Sequence, residues 1–510
     1  MKSKTMSFLR LVLLAGAVMV GGPPTAASDF ENNLEKTFQV SPGGKLTLQA
    51  DQGTCKVTPV DGDKVQVHVL RQVKGGSQAQ ADKLFAEHEV TFHQEGNTVS
   101  VVARNKSALR WSWRPNQPYL RTSYEITVPK RLDVQLQTSG GDVQVGDLDG
   151  KVKARTSSGS IDLERATGGV EATDSGGNIV IGETSGDLAA QTSSGSIRVQ
   201  KVGGKADVAN SGGDIQIGES GKALMAKTSS GSIRIETAKE DVEARNSGGD
   251  IIIGTAGRDV VAETSSGSIH LGRIQGARIK NSGGDITVEE ADGQVLARTS
   301  SGRIRIKTAK GNITAHNSGG DIYIDEAGGQ TEAETSSGSI KLALAKGSVQ
   351  AMNSGGDVNI GEADGQLTAR TSSGFIAIKL AKGKVDAKNS GGNVEVKEAQ
   401  AAVQATTSSG AITVGLVGQP TEDCHLEVSG GGITVTLPKT IGIDLDARSS
   451  GGRVKTEIPI TVLGAQEAGV LQGKVNGGGP NLILRSSSGD IQVKATSGSV
   501  AKLELENPSK

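Results

Sequence analysis

A serine recurs every 18 residues through the middle of this chain, and no other property narrows its fold as far. Counting from Ser139, equivalents fall at Ser157, Ser175, Ser193, Ser211, Ser229, Ser247 and Ser265. One 17-residue step leads to Ser282, and the 18-residue step then resumes through Ser300, Ser318, Ser336, Ser354, Ser372, Ser390 and Ser408. A period this short and this regular means stacked units, each able to bury its apolar face only against its neighbours. Each unit reads V-x-A-x-[TN]-S-[SG]-G-[SD]-I-x-I. Two versions alternate, TSSGSI as at Thr228 to Ile233 and NSGGDI as at Asn246 to Ile251.

Apolar residues two apart, as in Val242-Glu243-Ala244 and Ile251-Ile252-Ile253, predict strands with one face inward. Ile251 and Ile253 are then core and Ile252 faces out. The Ser-Gly blocks between them are turns, since glycine frees the backbone and serine bonds it locally. Helical spacing of three and four does not occur. The chain therefore predicts an all-β protein, a right-handed parallel β-helix or β-solenoid with coils of ~18 residues. A 36-residue coil, stacking like turn on like turn, is the alternative. Two observations favour 18. Val, Ala and Ile are too small to fill the wider coil at ordinary packing density. Segments after TSSGSI carry Lys310, Lys346 and Lys382, whereas those after NSGGDI carry Glu290, Glu326 and Glu362. An 18-residue coil interleaves these charges, and a 36-residue coil would stack like on like. Sixteen coils at ~4.8 Å give a rod of roughly 75 Å.

Composition agrees with a thin core. Only 2 % of the 510 residues are aromatic, too few for an ordinary globular interior of this length. A net charge of −1 argues against a nucleic-acid partner. The first residues combine Lys2, Lys4 and Arg10 with the apolar run Leu11 to Val20 and the small residues Thr25-Ala26-Ala27. That pattern predicts a signal peptide over 1–27, export to the periplasm, cell surface or extracellular space, and no transmembrane segment in the mature chain. Its removal takes the charge from −1 to −4. Residues 28–130 read as a β-rich cap with one short helix over Ser77 to Val90. Residues 131–425 are the regular coils, and 426–510 are irregular coils and a second cap. Cys55 and Cys424 fall in different modules; a mutual disulfide and two small buried residues are both open readings.

The segment Tyr124-Glu125-Ile126-Thr127-Val128-Pro129, leading into Leu132-Asp133-Val134-Gln135-Leu136-Gln137-Thr138-Ser139-Gly140-Gly141-Asp142-Val143, resembles a known family, as do the later Ser-Gly-Gly-Asp-Ile blocks and the closing Ser486-Ser487-Ser488-Gly489-Asp490-Ile491. It is the bacterial putative-adhesin family of β-strand-repeat proteins, a domain of unknown function. The resemblance covers nearly all of the mature chain. It implies a β-helical fold and an adhesin-like binding or structural role, and it brings no catalytic residues.

No catalytic, cofactor or metal site is expected. Asp142, Asp214, Asp250, Asp285, Asp321 and Asp357 recur like calcium ligands, but the period is 18 and Asn178 and Asn393 replace the acid in two copies. A turn-forming role fits them better. The six histidines keep no repeat position and read as single solvated side chains. Trp111, Trp113 and Tyr119, flanked by Arg110, Arg114 and Arg121, are the one aromatic concentration. They either plug the open end of the solenoid or contact a ligand such as a sugar ring. The expected function is thus an exported, non-enzymatic, adhesin-like protein whose partner is a cell-surface glycan or envelope component. A periplasmic scaffold in an envelope stress response is the alternative, and a polysaccharide-active β-helix enzyme the distant one.

Overall fold

The computed structural model describes residues 29–106, 117–462 and 467–496. Its body is a β-solenoid of about 17 turns with ~18-residue spacing. The strand register settles the coil length. Ile251 lies beside Ile233 on one side and Ile269 on the other, and Thr228 beside Asn246, so the two repeat versions stack alternately. The single 17-residue coil pairs Ile269 with Ile286 and leaves the parallel ladder in step.

Each coil contributes a V-x-A-x strand to one sheet and an I-x-I strand to the other, as in Val242–Asn246 and Ile251–Ala256. Val242, Ala244, Ile251 and Ile253 are buried, while Ile252 is half-exposed. The I-x-I strand then bends. Ile235 pairs with Ile253 and Thr237 with Thr255, skipping one residue in each coil, so the next inward side chain is Ala256 rather than residue 255. This extra residue brings a third inward column, the alanines Ala238, Ala256, Ala291 and Ala309 among them, into the core.

The turn sequence follows from how closely the coils stack. A Cβ on Gly231 would sit 2.1 Å from the carbonyl oxygen of Gly213 in the preceding coil; on Gly249 it would sit 2.3 Å from that of Gly231. The second turn glycine therefore has no room for a side chain. A Cβ on Gly248, the first glycine, would meet Ser229 O at 3.3 Å, which is why this position accepts serine in the alternate coils. The preceding Thr or Asn is buried and ties coil to coil. Thr228 Oγ1 donates to Gly213 O at 3.0 Å, and Asn246 Nδ2 donates to Gly231 O at 2.6 Å.

Both ends depart from simple winding. At the N-terminal end the strands are β1 (Phe30–Gln39), β2 (Gly44–Ala50), β3 (Thr54–Val60), β4 (Lys64–Lys74), helix α1 (Gln78–Glu87), β5 (His88–Glu95), β6 (Thr98–Asn105), β7 (Tyr119–Pro129), β8 (Leu132–Thr138) and β9 (Val143–Val145). Strands β2 and β3 form a coil in register with the repeats. β2 pairs in parallel with β6 and β8, and β3 with β7 and β9. The earliest coil thus lies between two that follow it in sequence. β1, β4 and β5 extend the two sheets in antiparallel fashion. Helix α1, capped at Ser77 by a reciprocal Ser77–Gln80 arrangement, packs against β1, β4, β5 and β7 and so bridges both sheets at the open end. The C-terminal end repeats the device. Asn481–Ser486 lies between Cys424–Val428 and Ile443–Ser449, and Ile491–Ala495 between Ile433–Leu437 and Val454–Thr456.

Candidate functional site

The recurring aspartates serve the backbone. Asp250 Oδ1 accepts from the amide of Ser268 in the next coil at 2.8 Å, and Asp142, Asp214 and Asp321 do the same for Ser160, Ser232 and Ser339. The neutral side chains of Asn178 and Asn393 accept from Ser196 and Ala411 at the same 2.8 Å. Charge is therefore not what this position supplies. The partner is always a main-chain N–H, which explains why the residue above this Asp or Asn can be Arg303, Phe375 or Ala411 as readily as serine. Among the described residues no group of three or more His, Cys, Asp or Glu side chains converges as a metal site.

Of the aromatic trio, Trp111 and Trp113 lie outside the described residues. Tyr119 opens β7 with half its surface exposed, and the Arg121 guanidinium stands 5.5 Å from its ring centre. That stack is compatible with a contact point on the surface.

The histidines are not all solvated. His88 is 1 % exposed, a correction to the sequence reading: it starts β5 exactly where α1 turns back onto the sheets, and its ring faces the core. Its Nε2 lies 3.4 Å from the Tyr124 hydroxyl, and its Nδ1 has no partner. Arg71, also buried, crosses this end of the core and donates to the carbonyls of Phe85 and His88 at 3.0 and 2.9 Å and to Asn32 Oδ1. Burial, reinforced by the Arg71 charge, pushes the His88 pKa down to about 4. Burial drives the Tyr124 hydroxyl well above its ordinary value. This cluster fastens the helix to the sheets: Arg71 satisfies the carbonyls where α1 ends. His68, His316 and His425 instead lie on the outer faces, each within 4 Å of a glutamate oxygen.

Both cysteines are free and buried, each in a core column. Cys55 stands in register with Val143, and Cys424 with Leu482, near opposite ends of the stack. Burial raises the Cys55 thiol to about 12, so neither a disulfide nor a reactive thiolate is built here.

Outside, charges interleave between coils. Lys346 Nζ is 2.6 Å from Glu326, and Lys382 Nζ is 2.7 Å from Glu362 and 2.8 Å from Asp364. Lys310 pairs with Asp292 at 2.5 Å rather than with Glu290, which takes Arg273 at 2.8 Å. Exposed pairs like these add little stability individually, but they leave long, nearly neutral faces.

These features define a class, the uninterrupted β-solenoid whose coils are tied by buried turn side chains. The chain belongs to the Toastrack DUF4097 family, whose model matches residues 44–253 and 236–397. The match begins at Gly44, where β2 starts the first coil. No curated protein matches the chain. Among solved structures, a "putative cell adhesion protein" of Clostridium sporogenes is 7 % identical, with 91 % of this chain and 100 % of that one covered and a TM-score of 0.15. A "putative adhesin" of Bacteroides fragilis is 16 % identical over 61 % of this chain and 97 % of that one, with a TM-score of 0.18. A "putative lipid binding protein" of Parabacteroides distasonis is 13 % identical over 63 % and 96 %, with a TM-score of 0.17. No helix among the described residues is long and apolar enough to cross a membrane.

Proposed function

We propose that this chain is an exported, non-enzymatic β-solenoid that works by presenting its long faces to a partner at the cell envelope, a surface glycan or another envelope component. Residues 1–27 direct export and are removed, and the segments 28–130 and 426–510 close the two ends of the rod. The observation that supports this reading most is the uniformity of the coils. The side chains that the repeat keeps are core or turn residues, and the outward positions vary freely from coil to coil. A surface of that kind binds through many weak contacts added along its length. Tyr119, with Trp111 and Trp113, is a further contact point at one end.

Removing residues 210–245 tests the proposal. This cut joins Ala209 to Asn246, equivalent in register to Asn210, and takes out two coils, so the alternation of turns is kept. The shortened rod folds, and its binding to whole cells or envelope fractions falls gradually with the number of coils removed. Protease treatment of intact cells releases a surface protein and spares a periplasmic one. Complete loss of binding in Trp111→Ala or Trp113→Ala with the fold intact would replace the extended surface by one local site. Turnover of a polysaccharide by the purified chain would remove the non-enzymatic reading.

A further inference from the structure

On the outer face of the V-x-A-x sheet, cations face acids. Lys153 Nζ is 2.7 Å from Glu171, Lys227 is 3.9 Å from Glu243, and Arg245 is 2.8 Å from Glu243 and 3.7 Å from Glu263. Farther along, Arg370 and Lys388 flank Asp386 at 3.7 and 3.8 Å. Like charges stand in register on this face as well, Lys227 beside Arg245 and Arg370 beside Lys388, and each of those pairs shares an acid, Glu243 or Asp386. Arg278 and Lys280 project from the strand Ala277–Lys280, and Lys280 stands in register between Glu263 of the preceding coil and Arg298 of the next. All three are exposed, and none has an ion-pair or side-chain hydrogen-bond partner among the described residues. This is also the coil of 17 residues, the single break in the period of the serine repeat. Like charges set side by side on a ladder cost stability, and unlike the pairs that share Glu243 or Asp386, Lys280 and Arg298 have no acid within ion-pair distance among the described residues.

Beside Arg298 the surface has a depression of about 310 Å³ lined by Arg298, His316, Ser318, Glu334 and Ser336. His316 Nδ1 is 3.1 Å from one oxygen of Glu334. The hydroxyls of Ser318 and Ser336 have no partner within the described residues. We propose that this patch binds an acidic saccharide, a glycan carrying uronate residues. The Arg298 guanidinium offers the planar fork that takes a carboxylate through two hydrogen bonds, with Lys280 and Arg278 supplying further positive field. Ser318, Ser336 and the outer oxygen of Glu334 are placed for sugar hydroxyls. Glu334 accepts from a neutral sugar hydroxyl, so the uronate carboxylate is placed on Arg298 and away from Glu334. The outward apolar neighbours Val261 and Leu296 are half-buried strand residues, so there is no apolar projection to enter a lipid layer. The proposal concerns the purified chain and holds whatever its cellular address.

The test is titration of the full chain with a galacturonate hexamer, the neutral galactose hexamer and phosphatidylglycerol vesicles at low ionic strength. The wild type binds the acidic hexamer and not the neutral one, and added salt weakens the binding. Arg298→Gln weakens it several-fold, and the Arg278→Gln, Lys280→Gln, Arg298→Gln combination weakens it at least tenfold. Arg370→Gln with Lys388→Gln, which removes two cations from the same face and so more charge than Arg298→Gln alone, leaves it within twofold. Unchanged circular dichroism and melting in each variant show that the fold is kept; should the triple variant fail this check, Arg298→Gln alone decides. Absence of hexamer binding by the wild type overturns the proposal. So do equal binding of the neutral hexamer, an equal loss in the Arg370/Lys388 control, and binding of the vesicles in place of the hexamer.

Discussion

Two turn glycines in successive coils, Gly231 and Gly248, should respond in opposite ways to one added methyl group. In Gly231→Ala the new Cβ meets Gly213 O at 2.1 Å, Gly213 C at 2.3 Å and Asp214 N at 2.7 Å. All three are backbone atoms, so no side chain can rotate aside. Ordinary contact requires the coils to part by more than ~1 Å at this corner, enough to break a hydrogen bond. Three bonds cross there: Thr228 Oγ1 to Gly213 O at 3.0 Å, Ile215 N to Ser232 O at 2.9 Å and Ser232 N to Asp214 Oδ1 at 2.8 Å. At about 1 kcal/mol each, with strain of similar size from overpacking, the loss is about 3–5 kcal/mol. Gly248→Ala meets only Ser229 O at 3.3 Å and Ser230 Cα at 3.8 Å. A shift of a few tenths of an ångström relieves that contact, and the lower entropy of the unfolded chain offsets it by roughly 0.4–1 kcal/mol. Neither glycine has a positive φ, so conformational strain does not enter the comparison. Because each coil touches only its neighbours, the effect is local. Hydrogen exchange of the Ile215 and Ser232 amides reads it directly, and urea midpoints read its global share. Faster exchange is expected in Gly231→Ala alone. Equal protection in the two variants would refute the stacking argument.

Ile253→Ala should cost about 2–4 kcal/mol and Ile252→Ala less than ~1 kcal/mol, since only the first opens a cavity; equal urea midpoints would show the inward face misassigned. His88 is held neutral with a folded pKa of about 4 against an unfolded value near 6.5, so its contribution is present above pH ~6.5 and lost as the pH falls toward 4. The loss amounts to no more than about 3 kcal/mol. His88→Phe should therefore flatten the acid side of the stability curve of the helix-bearing end, followed by exchange of α1 amides; an unchanged slope would remove His88 as its cause. Chelator should leave the melting temperature unchanged, because the turn acids bond main-chain amides; a drop of several degrees would mean that an ion stabilises the native state.

The coil length, the inward pair of isoleucines and the alternation of charge were legible because each is local and repeated sixteen times. A repeat averages out the accidents of any one copy. The three-residue step from Ile253 to Ala256 was not legible: the intervening Gly254 and Thr255 look like the start of a loop, and only the pairing across coils shows them to be strand with one residue left over. The coil formed by β2 and β3 was hidden for another reason. Leu46-Thr47-Leu48-Gln49-Ala50-Asp51-Gln52-Gly53-Thr54-Cys55 keeps the spacing of Val134 to Val143 but only the turn glycine of its motif. Thr138 Oγ1 still donates to Gly53 O at 3.0 Å, the same bond that Thr156, Thr192, Asn210 and Thr228 make in later coils. A search keyed to spacing rather than to serine would find it. His88 gave no signal because its burial depends on Arg71 and Tyr124, which come from different strands. At the surface, the unpaired cations Arg278, Lys280 and Arg298 are visible in the sequence only after the register is known.

The interleaving of coils at both ends bears on how the rod yields to force. A plain helical stack under tension comes apart one turn at a time from its ends, each turn giving way on its own. Here, pulling on the chain ahead of β2 cannot release the β2–β3 coil alone, since it is held on both sides by β6–β7 and β8–β9. The far end resists in the same manner, with Asn481–Ser486 clamped between two earlier strands. Tension entering at either terminus is therefore shared across three coils in shear before any can unravel. The same wiring sets an order of assembly. The first coil made by the ribosome stays half-paired until residues 132–145 arrive to close it, so the N-terminal end completes only once the repeat behind it has begun.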